Sequence, residues 1–206
     1  MTDDRDWKDS MRGRVLRDGD TPASNGNIAN IITVVRILMA PLFIWLLLLD
    51  DGAMGPLRWF AAFLFIIGIT TDSVDGYLAR SRNLVTNVGK ILDPIADKVF
   101  TGGALISLSI LGELWWWVTI LILIREIGIT VYRFIVIRDR VVAASSGGKL
   151  KTVVQAVAIS FALLPLWTIV GDWILWVNWA LMGAALVLTL YSGATYLIEA
   201  RRAAKS

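Results

Sequence analysis

The sequence predicts an all-α membrane protein with six transmembrane helices, and three observations lead there. The 206 residues are 56% hydrophobic and only 18% charged, with a mean hydropathy of +0.66, which is too apolar for a water-soluble domain of this length. Apolar runs long enough to cross a bilayer, roughly 20 residues each, are expected at about 29–49, 57–79, 90–111, 114–137, 152–170 and 173–197. Basic residues gather at alternate breaks between these runs.

Residues 1–26 mix Arg5, Lys8, Arg12, Arg14 and Arg17 with Asp3, Asp4, Asp6, Asp9, Asp18 and Asp20. They contain no apolar stretch of the kind a cleaved signal needs. Trp7, Met11 and Val15 recur at i, i+4 and i+8, so this cytoplasmic tail is either a short surface helix or a partly ordered segment. Thr21 to Asn27 reads as a linker from its Pro, Gly and Asn content. Residues 27–206 are then expected to form one six-helix transmembrane domain, without internal repeats.

On one side of the bilayer the breaks are DDGAMGP, Gly112–Glu113 and Gly171–Asp172. On the other they are SRNLVTNVG and RDRVVAASSGGKLK. The first side carries Arg58 beside Asp50, Asp51, Glu113 and Asp172. The second collects the basic tail, Arg80, Arg82, Lys90, Arg138, Arg140, Lys149, Lys151, Arg201, Arg202 and Lys205. Both termini are therefore expected on the cytoplasmic face of a bacterial inner membrane, as an even number of spans requires. Trp115, Trp116 and Trp117 sit where indoles anchor a helix in the headgroup region. The net charge of +3 is explained by this topology, so nucleic acid is not an expected partner.

The chain has no Cys and no His. That excludes disulfides, thiolate metal sites and imidazole as base or ligand. Chemistry is left to carboxylates, Arg, Lys, hydroxyls and a hard cation. In DSVDGYLARSRNLVTNVGKILDPIAD, Asp72, Asp75, Gly76, Ala79 and Arg80 fall at i, i+3, i+4, i+7 and i+8, one face of the second helix. Gly89, Asp93 and Asp97 fall at i, i+4 and i+8, one face of the third. An antiparallel turn between them brings four carboxylates to one cleft. Unpaired anions in a low-dielectric site cost several kcal/mol each. A divalent cation with oxygen ligands, Mg²⁺ or Mn²⁺, resolves the repulsion; Lys90, Lys98 and Arg80 are the alternative counter-charges. Gly76 and Ala79 either let the helices pack closely or leave room for a flat ligand, and both readings can hold together.

Other charges lie at membrane depth, where they rarely face lipid. Arg36 follows Asn30 and Thr33 on the first helix, and Arg125, Glu126 and Arg133 lie on the fourth, Arg133 being near enough to the end to snorkel. Gly147, Gly148, Lys149 and Lys151 are expected in a flexible loop that offers N–H groups and ammonium charges to an anion. Ala143 stands where a nucleotide-binding P-loop needs its first glycine. An acidic metal site beside a basic pocket suits phosphoryl-type transfer.

Asp72-x-x-Asp75-Gly76-x-x-Ala79-Arg80, eight residues, then Gly89-x-x-x-Asp93-x-x-x-Asp97 resembles the signature of the CDP-alcohol phosphotransferase family at every fixed position. The likeness extends over residues 29–200. Asn30, Thr33, Arg36, Arg125-Glu126-Ile127, Arg133 and Gly148-Lys149-x-Lys151-Thr152 are similar to the branch that makes phosphatidylglycerol phosphate. The resemblance implies six membrane helices, a homodimer, and transfer of a phosphatidyl group from CDP-diacylglycerol to glycerol 3-phosphate with release of CMP. It also implies that Asp72, Asp75 and Asp93 hold the metal, with Asp97 sharing a second ion and acting as general base. Asn30, Thr33, Asp72, Gly76, Ala79, Arg80 and Thr86 would form the CDP-lipid site. Arg125, Arg133, Lys149 and Lys151 would bind the acceptor phosphate.

Within the family, a phosphatidylinositol phosphate synthase or cardiolipin synthase shares the aspartate frame and differs in acceptor. From another class, a divalent-cation transporter would need a polar path to the far side. The stretches WFAAFLFIIGIT and LISLSIL are nearly all apolar there, so such a path ends blind.

Overall fold

The computed structural model describes the backbone of residues 28–81, 87–136 and 146–205, and within these the side chains of 32–71, 92–132 and 150–198. The elements are α1 (Ile28–Asp50), α2 (Pro56–Ser81), α3 (Asn87–Ile110), α4 (Trp116–Val136), α5 (Ser146–Leu163), the single turn α6 (Trp167–Val170) and α7 (Trp173–Lys205). No strand occurs among the described residues. The predicted N-terminal surface helix lies outside them.

Two boundaries differ from expectation for local reasons. The span expected at 152–170 is α5 followed by a break and then α6, because Pro165 has no N–H to continue the ladder and its ring obstructs the preceding turn. The stretch Gly147 to Lys151, expected as a loop, is the first turns of α5. Glycine is least damaging where the N–H groups have no intrahelical partner anyway, and the apolar run from Val153 carries the helix.

The turns at the far end of α2 from its aspartates are closed by backbone geometry. Gly112, with φ of 73°, ends α3 in a Schellman motif, with Gly112 N–H donating to Ser109 O at 3.2 Å and Glu113 N–H to Leu108 O at 2.9 Å. Asp50 folds the α1–α2 turn, its carboxylate accepting Met54 N–H at 2.9 Å and Gly55 N–H at 3.1 Å. Pro56 then opens α2, where its missing N–H has no consequence.

The helices form one bundle in which α1 packs on α2 and α3, α5 packs on α7, and α4 joins α3 to α7. Phe43, Phe65 and Phe100 interlock at its centre with ring centroids 4.9–5.7 Å apart, contacts that add to the burial itself. Gly68 permits this, since a methyl there would strike the Phe100 ring. Large apolar side chains also stand on the outside: Leu38, Trp45, Phe60, Phe63, Ile124 and Trp176 are all exposed. A surface of that kind needs an apolar solvent. By length and composition, Ile32–Asp50 and Trp173–Ile198 suffice to cross a membrane. The charges Asp93, Asp97 and Lys98 interrupt the apolar run of α3, and Arg125 and Glu126 interrupt that of α4.

Arg58 is fully buried at the start of α2. Its Nε donates to Leu163 O at 2.7 Å, Nη2 to Ala162 O at 3.0 Å and Nη1 to Glu113 Oε1 at 2.8 Å, while Nη2 also meets Glu113 Oε2. The two carbonyls are those that the break at Pro165 leaves without helical partners. One guanidinium thus fastens α2, the α3–α4 turn and the end of α5. Arg58→Met is expected to destabilise the fold by about 3–5 kcal/mol, since it strands a carboxylate and two carbonyls. Thermal unfolding in detergent checks this, and a wild-type melting temperature would contradict the clamp.

Candidate active site

Of the polar residues singled out in the sequence, those with described side chains, Thr33, Arg36, Asp93, Asp97, Arg125 and Lys151, lie toward the opposite end of the bundle, roughly 20 Å along α2 from Arg58. There α1 begins, α2 ends and α3 begins. Thr33 of α1 is buried, and its Oγ1 donates to Asp93 Oδ1 of α3 at 2.8 Å. Arg36, one turn further, is also buried, and its Nε donates to Gly68 O of α2 at 3.1 Å. The same Gly68 that admits Phe100 therefore also ties α1 to α2 beneath the site.

Asp93 and Asp97 stand four residues apart on α3 and so share a face. Asp93 is exposed and Asp97 partly so. Lys98 Nζ lies 2.7 Å from Asp97 Oδ2 and 2.5 Å from Glu126 Oε2 of α4. Glu126 is 5% exposed and receives two more cations on Oε1: Arg125 Nη1 at 2.9 Å and Lys151 Nζ of α5. Arg125 Nη2 donates to Ser192 Oγ of α7 at 2.6 Å. Gly193 makes room for the arginine stem, because a methyl there would lie 3.0 Å from its Cγ.

Three cations against two carboxylates leave this cluster one net positive charge. Adjacent to it, Asp93 adds a negative one. This end of the bundle therefore sets the exposed carboxylate of Asp93 beside a cluster of three cations and two carboxylates.

The remaining expected site residues are placed by backbone alone. Asn30 lies in the first turn of α1, and Asp72, Asp75, Gly76, Ala79 and Arg80 lie within α2, which stays helical to Ser81. Arg133 lies in α4 and Lys149 in the first turn of α5. The side chains of all these, and Thr86 entirely, fall outside the described residues. Among the described residues no three metal-ligating groups share a position. The donors that are described suit a hard cation: both are carboxylates, with no nitrogen or sulfur ligand, and Asp93 is oriented by a hydroxyl as metal ligands commonly are.

Arg125 and Lys151, which the resemblance assigns to a phosphate, are held here by Glu126. The sequence offers Lys98 only as a counter-charge to the aspartates and Glu126 only beside Arg125, with no binding role for either, and Ser192 carries no signal at all. Lys98 and Glu126 are 28 positions apart, and no local spacing rule joins residues on separate helices.

A family model described as CDP-alcohol phosphatidyltransferase matches residues 26–191. The chain is 46% identical over 176 residues to a probable phosphatidylglycerophosphate synthase of Mycobacterium tuberculosis, covering 85% of this chain and 82% of the relative. It is 41% identical over 148 residues to the CDP-diacylglycerol–glycerol-3-phosphate 3-phosphatidyltransferase of Bacillus subtilis, covering 67% and 77%. It is 35% identical over 178 residues to the enzyme of that name from Rickettsia prowazekii, covering 82% and 93%.

Thr33→Val keeps the shape of the side chain and removes the hydroxyl that orients Asp93. It is expected to weaken Mn²⁺ binding roughly tenfold, as loss of a ligand's hydrogen-bond partner usually does. Titration calorimetry checks this, and unchanged affinity would separate Thr33 from the metal site.

Proposed function

The chain belongs to the CDP-alcohol phosphatidyltransferase family, and from that premise we propose that it transfers the phosphatidyl group of CDP-diacylglycerol to glycerol 3-phosphate, yielding phosphatidylglycerol phosphate and CMP. The observation that carries this reading is the junction of Asp93 and Asp97 with cations from α3, α4 and α5 at one end of the bundle. The transfer needs both halves: a metal site for a diphosphate and a basic pocket for a second phosphate. The names of the relatives supply the acceptor.

Asp97 takes the proton of the acceptor hydroxyl. The freed oxygen bonds to the phosphatidyl phosphorus, and the bond from that phosphorus to the CMP oxygen breaks. With no histidine in the chain, a carboxylate is the available base, and Lys98 fixes the direction of its Oδ2. Asp72, Asp75 and Asp93 would hold Mg²⁺ or Mn²⁺, with Asp97 shared by a second ion, and the metal would supply stabilisation of the charge that grows on the diphosphate. Asn30, Thr33, Gly76, Ala79, Arg80 and Thr86 receive the cytidine diphosphate. Arg125, Arg133, Lys149 and Lys151 receive the acceptor phosphate, Arg through its fork and Lys as a point charge.

The bundle is a multi-pass protein of the cytoplasmic membrane in this reading. It has six spans (α5 and α6 together making the fifth), working as a homodimer with the site and both termini on the cytoplasmic side. Residues 1–26 form a cytoplasmic segment ahead of the catalytic domain. The lipid tails stay in the bilayer while the small acceptor enters from water.

CMP release from CDP-diacylglycerol is expected with labelled glycerol 3-phosphate. Turnover only with inositol phosphate or phosphatidylglycerol would reassign the acceptor, and metal uptake by proteoliposomes without CMP release would make the protein a transporter. Asp97→Asn is expected to lower transfer by about 10²–10⁴-fold, the usual worth of a positioned base, with CDP-lipid binding retained; near-normal turnover would remove the assignment. Rigorous chelation is expected to abolish activity, with recovery on adding Mg²⁺ or Mn²⁺, and full activity without metal would contradict the aspartate site.

A further inference from the structure

We propose that Glu126 is a positioning residue that gathers Lys98, Arg125 and Lys151 into one preformed cationic seat for the acceptor's phosphate. The inference deepens the proposed reaction and rests on it. A carboxylate buried in a bundle core is strongly unfavourable alone and tolerable once paired. One cation neutralises it, yet Glu126 holds three, from three different helices. Even after Asp97 takes its share of Lys98, the cluster is left positive. An excess cation in a buried cluster invites an anion.

Two further observations point the same way. Arg125 spends Nη1 on Glu126 and Nη2 on Ser192, while its Nε is buried with no acceptor among the described residues. A donor left over beside an excess positive charge suits a phosphate oxygen. Lys151 is 4% exposed, so its flexible stem is already ordered before any ligand arrives. Long side chains lose rotamer freedom on binding, and ordering them beforehand removes that cost from the affinity. Without Glu126 the three cations would repel one another and scatter.

The role predicts a split between substrates that loss of folding does not produce. In detergent micelles with each substrate varied, Glu126→Gln is expected to raise KM for glycerol 3-phosphate by about tenfold or more, the loss of one strong ionic contact in affinity terms. Its KM for CDP-diacylglycerol is expected to stay within about twofold of wild type. Glu126→Asp, which keeps the charge but is too short to span three partners, is expected to fall between the two. It carries the test if Glu126→Gln does not accumulate. An unchanged KM for glycerol 3-phosphate, or an equal rise for both substrates, would overturn the role and leave Glu126 a structural ion partner. A wild-type enzyme that ignores glycerol 3-phosphate would overturn the proposed reaction instead, and the wild-type assay alone decides that.

Discussion

Charge cannot stand unpaired inside an apolar bundle, and most of the architecture follows from how this chain meets that constraint. At one end Glu126 binds cations from α3, α4 and α5, and Arg125 carries the network on to α7 through Ser192. Thr33 joins α1 to α3 through Asp93, and Arg36 joins α1 to α2 through Gly68. Every one of the six long helices therefore contributes a residue to this end or passes directly beneath it. The apolar core alone fixes helix against helix only loosely, because lipid tails compete equally well for leucine and isoleucine. Directional polar contacts supply the register that dispersion does not.

The two ends solve the constraint differently. At the Arg58 end the fully buried guanidinium is bound by Glu113 and the carbonyls of Ala162 and Leu163, a contact that serves the fold. At the other end three cations meet two carboxylates in one cluster, with the carboxylate of Asp93 beside it and not in it. Asp93 is exposed, and Arg125 Nε has no acceptor among the described residues. A closed clamp stabilises; an incompletely matched cluster can bind. Separating the two along about 20 Å of α2 lets the scaffold be rigid where the chemistry is not.

Much of this was legible from residue spacing, because helix faces are local. The positions of Asp72, Asp75, Asp93 and Asp97 needed only 3.6-residue periodicity, and α2 and α3 are helical across them. The breaks at Gly112 and Gly171 were also readable, since both glycines take positive φ. What stayed hidden was whatever joins distant segments. Arg58 looks like an outer-loop charge until the end of α5 folds over it, and Glu126 looks like one more charge on α4 until Lys98 and Lys151 arrive from either side. The helix through Gly147 and Gly148 was hidden for another reason: its support comes from the apolar residues that follow, not from the glycines themselves.

In the proposed reaction the ends of α2 and α3 pool their aspartates around a metal on the lipid diphosphate. A crystal structure with Mn²⁺ and CDP-diacylglycerol, read by anomalous scattering, tests it most directly. Manganese density between the two helices, with carboxylate oxygens of Asp72, Asp75 and Asp93 at roughly 2.0–2.3 Å and the diphosphate completing the shell, is the result expected. Density elsewhere, or aspartates turned apart around an empty cleft while the lipid is bound, would contradict the account.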